Sequence, residues 1–161
     1  MISLSGAPYL IPANTRTGNK MGDFKVVDHM IYDALTDAFD NIHMGITAEN
    51  IADKYGITRE MQDEFAYASQ TKAIAAVDSG RFKDEIVPVE VKLRKEVVTF
   101  DTDEHPNRKS NSEKLAKLRP AFKKDGTVTA GNASGINDGA SFVLLASEEA
   151  VEKYNLTPIC E

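Results

Sequence analysis

The sequence has a single cysteine, Cys160, close to its C-terminal edge. A disulfide framework and a cysteine-based zinc site are therefore excluded within the chain. Cys160 has no helix start, glycine-rich turn or sequence-adjacent histidine to activate it, so it reads as a small hydrophobe and not as a nucleophile. Positive charge is also in short supply: 19 Lys and Arg stand against 25 Asp and Glu, for a net charge of −6. That balance argues against nucleic-acid binding, which needs clustered cations against the phosphates. It gives an anionic ligand no overall attraction, so any anion site has to be local. No apolar run approaches the length of a membrane-spanning helix, which argues against a membrane partner. The opening residues Met1-Ile2-Ser3-Leu4-Ser5-Gly6 lack the basic region and apolar stretch of a secretory signal. The expected compartment is the cytoplasm. Internal repeats and low-complexity tracts are missing too.

What remains is a chain of 161 residues, 42% hydrophobic and 27% charged, long enough for one domain with a core. Residues 1–25 are rich in Pro, Gly, Asn and Thr and read as an extended or looping segment. A helix is expected over 28–39, where Val27, Met30, Ile31, Ala34, Leu35, Ala38 and Phe39 make a helical stripe. A short helix is expected from Thr47 as N-cap, stapled by Ile46 and Ile51 and stopped at Gly56. A longer one runs from Thr58 as cap to Gly80, with Met61, Phe65, Ala68 and Ala75 as its buried side. The period then changes. Val87, Val89, Val91 and Leu93 alternate with Pro88, Glu90 and Lys92, the pattern of a half-buried edge strand, and 97–100 fits a second. Residues 101–109 read as a polar surface loop. Ser110 and Glu113 fit a capping box for a short helix reaching Leu118, and Asp125-Gly126 is a turn. Phe142-Val143-Leu144-Leu145 reads as a buried strand. Ser147 caps a last helix that Asn155 stops, and residues 157–160 open a further strand without continuation. A buried strand needs neighbours on both sides. Few are on offer here, which points to a sheet only part of which is present.

Several constellations could carry chemistry. Residues 127–140 combine small residues with the hydroxyl of Ser134 and the amides of Asn132 and Asn137, as a loop that lets a ligand approach the backbone would. A plain turn-rich connection has the same composition. The segment is not a phosphate loop, because the Gly-Lys-Ser/Thr ending is absent. His43, at a helix junction, titrates in a useful range but fits a hydrogen-bonded structural role as well. Met44 is ordinary core filler by itself. Asp101, Asp103 and Glu104 do not have calcium-loop spacing and read as a solvated acidic loop. Lys114, Lys117, Arg119, Lys123 and Lys124 surround Leu118, Pro120, Ala121 and Phe122. That stretch is either a local anion site or a solvated helix face. No nucleophile–base pair can be assembled.

Six segments carry a more specific signal. Gly6-Ala7-Pro8-Tyr9-Leu10, Met21-Gly22-Asp23, His43-Met44-Gly45-Ile46-Thr47-Ala48-Glu49-Asn50, Gly80-Arg81-Phe82-Lys83-Asp84-Glu85-Ile86-Val87-Pro88, Lys117-Leu118-Arg119-Pro120-Ala121-Phe122 and residues 126–140 resemble successive motifs of the thiolase family, in order and in register. The His-Met-Gly form resembles the biosynthetic, acetoacetyl-CoA branch. The resemblance implies an α/β fold with an α+β appearance in isolation. Residues 1–125 would be the helix-rich loop domain, with a small β element and a tetramerisation-like segment at 21–28. Residues 126–161 would be the end of the N-terminal half, part of a thiolase α/β layer.

For function the resemblance implies an acetyl-CoA C-acetyltransferase, acting by Claisen condensation and reverse thiolysis on CoA thioesters. The resemblance also implies self-association, with a homotetramer as the parent enzyme. Coenzyme A enters as ligand and substrate, and no resident cofactor or metal is implied. The family's nucleophilic cysteine, activating histidine and second cysteine match no position here, and Cys160 matches neither cysteine. No catalytic residue is therefore assigned, the chain reads as an internal piece of such an enzyme, and by itself it is expected to be inactive. A non-catalytic CoA-binding or assembly module derived from a thiolase is the alternative. The resemblance does supply a CoA cleft. Ser134 would bond the pantetheine arm with Ala130 beside it, Ala121 and Phe122 would line the tunnel, and Leu35, His43 and Met44 would form the wall near adenine, pantetheine and acyl group. Where similar thiolases often have an arginine for the CoA phosphates, this chain has Asn107. Either Arg108, next to it, or nearby lysines such as Lys114 would take that role.

Overall fold

The computed structural model describes residues 3–19 and 21–160. The chain is divided into two compact units, one of residues 1–30 with 136–161 and one of residues 31–135. Both are mixed, each with helices and one two-stranded antiparallel ladder.

In the first unit, β1 (Tyr9–Leu10) pairs with β2 (Val27–Asp28), and a single 3-10 turn covers Ala13–Thr17. Asp138 accepts from the Ser5 amide at 2.9 Å and from its hydroxyl. The last helix, α4 in chain order (Glu148–Tyr154), is capped as expected: Ser147 Oγ accepts from the Ala150 amide, and Asn155 ends it in the left-handed region at φ 50°. The expected strand at 142–145 does not form. Phe142, Val143, Leu144 and Leu145 are 79–92% exposed, because no described strand of the chain lies beside them to satisfy their backbone. Residues 157–160 are likewise irregular.

The second unit holds the remaining helices. The expected helix over 28–39 reduces to a wide turn, Met30–Ala34. Asp28 and Val27 are drawn into β2, Asp37 donates to the Ile42 carbonyl, and Thr36 bridges to His43. Met30 and Leu35 are half-buried but Phe39 and Ile31 remain exposed, so the stripe buries too little to repay helix nucleation.

Helix α1 (Met44–Tyr55) starts three residues before the expected Thr47 cap, because His43 Nδ1 accepts from the Gly45 amide at 3.0 Å. Gly56 closes it as expected. Helix α2 (Arg59–Asp78) is capped by Thr58 as the sequence indicates. Its inner face differs from the expected one: Phe65 is 78% exposed, Met61 and Ala75 are exposed, and the buried residue is Asp63. A polar network holds that face, as described below.

The hairpin of β3 (Val89–Lys92) and β4 (Val97–Phe100) forms in register from Val89 opposite Phe100 to Lys92 opposite Val97. It is exposed on both faces, so β3 is not the half-buried strand expected. Helix α3 (Ser112–Ala116) is shorter than its expected reach to Leu118. It is capped by Asn111, whose Oδ1 accepts from the Lys114 amide at 2.9 Å, and not by Ser110. The buried apolar residues among those described are Ala52, Leu115 and Val128. Among the described residues no helix is long and apolar enough to cross a membrane.

Candidate functional site

All nine sequence candidates lie in the unit of residues 31–135. The site is built on one face of α1. Gly45, Glu49 and Ala52 are its buried residues, at the i, i+4, i+7 spacing that stacks side chains on a single helix stripe. Gly45 receives the ring of Phe122. A Cβ at position 45 would stand 2.2 Å from Phe122 Cγ, so no other residue leaves room for that ring. Phe122 also stacks on His43, with centroids 4.9 Å apart and planes inclined by 28°. His43 Nδ1 accepts the Gly45 amide, which places the ring proton on Nε2. The histidine is thus a helix cap and an aromatic wall at once. Beside it, Met44 donates its amide to the Leu35 carbonyl at 2.8 Å. Leu35 and Met44 are thus joined through their backbones, and His43 and Phe122 through their rings.

One turn further along α1, Glu49 is 1% exposed. Its carboxylate accepts from the Thr127 amide at 2.9 and 3.0 Å, from the Val128 amide at 2.8 Å and from the Thr127 hydroxyl at 3.0 Å. Burial alone pushes its pKa up. The two amides, the hydroxyl and the charge of Lys123 outweigh that and hold it below the ordinary carboxylate value. Gly126 is required here, since a Cβ would stand 2.3 Å from Glu49 Oε1.

From α2, Gln62 Nε2 donates to Thr127 Oγ1 at 2.8 Å. Asp63 Oδ1 accepts from Asn132 Nδ2 at 2.9 Å and its Oδ2 from Arg59 Nε at 2.8 Å, while the Arg59 guanidinium also donates to the Leu115 carbonyl. Asn132 Nδ2 reaches the Thr127 carbonyl at 3.1 Å, and its Oδ1 accepts the amide of Thr129, which is fully buried. The Thr129 hydroxyl accepts from the Gly131 amide at 3.2 Å.

The loop that composition alone leaves open between turn and ligand cradle is thus an ordered, internally bonded structure. The amides of Thr127, Val128, Thr129 and Gly131 go to the protein's own oxygens and are not held open for a ligand. Sequence reasoning missed Glu49, Asp63 and Arg59. The signal for Glu49 was present: an acidic residue four positions after Gly45, on the same stripe as Ala52.

Pro120 bridges to Thr129, and Ala121 donates to the Val128 carbonyl at 2.9 Å. This short antiparallel pairing joins the Phe122 wall to a neighbouring open cleft of about 430 Å³. Ala130, Gly131 and Ala133 line the cleft together with Leu115, Leu118 and the lysines Lys109 and Lys114. Ser134 is exposed, between Ala133 and Gly135, both of which line the cleft. Lys114 Nζ donates to the Lys109 carbonyl at 2.8 Å. Asn107 donates its amide to Gln70 Oε1 at 2.7 Å. Arg108 is committed elsewhere: both its terminal nitrogens engage the Asp78 carboxylate, at 3.0 and 2.5 Å. Hydrogen bonding to Arg108, and then its charge, keeps the Asp78 carboxyl below its usual range, and the same pair raises the arginine.

Comparison with known proteins identifies the family. Residues 1–149 match the family model described as thiolase, N-terminal domain. The chain is 62% identical to an acetyl-CoA acetyltransferase of Pseudomonas aeruginosa over 155 residues, 96% of this chain and 39% of the relative. It is 54% identical to an acetyl-CoA acetyltransferase of Escherichia coli, over 99% of this chain and 40% of that protein. Among solved structures, the Bacillus anthracis acetyl-CoA acetyltransferase superimposes with a TM-score of 0.79 at 45% identity, covering 97% of this chain and 39% of the other. Human mitochondrial 3-ketoacyl-CoA thiolase does so with a TM-score of 0.79 at 49% identity, over 96% of this chain and 39% of its own. The chain spans about two fifths of the length of the relatives it matches. It belongs to the thiolase family and has the fold of the matching part of that family.

Proposed function

We propose that this chain supplies the coenzyme-A-binding face of an acetyl-CoA C-acetyltransferase. The reaction is the Claisen condensation of two acetyl-CoA to acetoacetyl-CoA and CoA, and its reverse. The observation that carries this reading is the joining of two surfaces by the pairing of residues 120–121 with 128–129. One is the aromatic and aliphatic wall of Leu35, His43, Met44 and Phe122. The other is the cleft of Ala130, Leu115 and Leu118 with Lys114 at its edge. An extended ligand with an apolar arm and an anionic end fits such a path. Ala121 and Ser134 flank it, and Met44 limits acyl length. Coenzyme A is ligand and substrate here, with no resident cofactor. No catalytic cysteine or histidine is assigned to this chain, and Cys160, which is exposed, is not one. Exposed Met21, Phe24 and Val26, in the tetramerisation-like segment, support self-association, and the unpaired apolar run 142–145 supports assembly with further thiolase sheet.

Titration of the purified 161-residue chain with coenzyme A tests the reading. Saturable binding is expected, weakened about three- to tenfold by Ser134→Ala, the ordinary size of one lost hydrogen bond. The same preparation is expected to show no thiolysis of acetoacetyl-CoA. Absence of saturable binding would overturn the binding assignment, and thiolysis abolished by Cys160→Ala would overturn the catalytic one.

The phosphate end yields a separate prediction. With Arg108 held by Asp78, the lysines at the cleft edge carry the anion attraction. Asp78→Asn frees the guanidinium and removes a nearby negative charge. It should tighten coenzyme A binding about two- to fivefold at low salt, the scale of an exposed ion pair, with a steeper salt dependence. Unchanged affinity at every salt concentration would exclude Arg108 from the phosphate role.

A further inference from the structure

We infer that Glu49 is the positioning residue of the CoA-facing loop, holding residues 126–128 against α1 so that the cleft residues that follow are presented in one conformation. The inference rests on the CoA reading above and adds a residue to it. Four features of the geometry carry it. Glu49 comes from a different element, 78 and 79 positions upstream of the groups it binds. It accepts from both loop amides and from the Thr127 hydroxyl, so one side chain satisfies three donors of a segment with few backbone bonds of its own. Gly126 is shaped to it, as any Cβ there would collide with the carboxylate. Finally, Gly45 and Glu49 share a stripe of α1 one turn apart, so the segment from Phe122 to Val128 is seated on a single helix face at both ends.

Thr127 and Thr129 lead directly from this anchor to Ala130 at the cleft, through the Asn132 bonds to Thr127 and Thr129. The role requires an acceptor, because every partner of Glu49 in the loop is a donor. Glutamine has the same shape but turns one of the two oxygens into a donor that faces the loop's own N–H groups.

The test uses the full 161-residue chain, with amide hydrogen exchange read residue by residue and coenzyme A affinity read by calorimetry. In Glu49→Gln, exchange at Thr127 and Val128 is expected to speed up about tenfold or more, with the interior amides of α1 and α2 unchanged, and coenzyme A to bind about tenfold more weakly. Glu49→Asp, which keeps the acceptors one methylene shorter, should recover part of both effects. Unchanged exchange at Thr127 and Val128 overturns the inference. So does an equal acceleration through α1 and α2, which would make Glu49 a support of the whole unit. If wild-type chain fails to bind coenzyme A, the functional reading falls, yet the exchange pattern still decides whether Glu49 orders the loop. Should Glu49→Gln not fold, Thr127→Val removes one donor to the same carboxylate, and about threefold faster exchange confined to the loop is expected.

Discussion

Gly45→Ala is expected to destabilise the unit of residues 31–135 by about 1–3 kcal/mol, the usual cost of forcing extra atoms into a filled site. The sign is not obvious from the helix alone. Alanine is the better helix former by up to about 1 kcal/mol, and position 45 lies in the first turn of α1. The contact decides. The new methyl would stand 2.2 Å from Phe122 Cγ and 2.4 Å from both Cδ atoms, so the ring has to leave. Leaving breaks its stack on His43 and removes one wall of the proposed cleft. Urea unfolding followed by coenzyme A titration reads both consequences, and both stability and affinity should fall. The control is Gly45→Ala in a Phe122→Ala background. There the clash is gone, and the alanine is expected to be neutral or mildly stabilising. A Gly45→Ala variant as stable as wild type, with Phe122 in place, would refute the claim that the glycine exists to seat that ring.

Asp63→Ala is expected to cost more, about 3–5 kcal/mol, the range for removing one partner of a buried ion pair. Asp63 is 8% exposed and its two oxygens serve different masters. One takes Arg59 Nε at 2.8 Å and the other takes Asn132 Nδ2 at 2.9 Å. Without the carboxylate, the Arg59 guanidinium keeps the Leu115 carbonyl but loses its counter-charge in a largely desolvated place. Asn132 loses one of the acceptors that orient it across the loop. Arg59→Met combined with Asp63→Leu should recover much of the loss, since neither charge is then left unpaired. Equilibrium unfolding of the three proteins separates the explanations. Equal losses in the single and double variants would mean that shape, not charge pairing, is what Asp63 contributes. A single variant within about 0.5 kcal/mol of wild type would show the network to be incidental.

These two positions also mark where the sequence is readable and where it is not. Gly45 falls within a quoted motif, but its reason is a ring 77 positions away in the chain. Asp63 sits on a helix whose expected inner side was Met61 and Phe65. The rule that apolar residues face inward fails there because Leu115 and Asn132 offer α2 a carbonyl and an amide, and polar partners claim the face. The candidate residues Leu35, His43, Met44 and Phe122 were named through the family resemblance, and only the packing reveals that His43 acts through both its ring and its cap.

Local chemistry was sufficient wherever a few neighbouring residues satisfy one another. Thr58 and Ser147 accept from amides three positions on, Gly56 and Asn155 take the left-handed conformations that end their helices, and the 89–92 and 97–100 strands pair across a short turn. These features, the acidic charge balance and the family motifs are properties of the sequence by itself. Tertiary structure alone decided what depends on distant partners. The stripe over 28–39 does not form an α-helix, because β2 claims one end of it and the bridge of Thr36 to His43 the other. The apolar run 142–145 is not a strand, because no described strand lies beside it. The amides of Thr127, Val128, Thr129 and Gly131 serve Glu49, Asn132 and Thr129 and do not lie open. In each case the backbone takes the conformation that satisfies its hydrogen-bonding groups, and whether the partner is near is fixed by packing, not by the pattern along the chain.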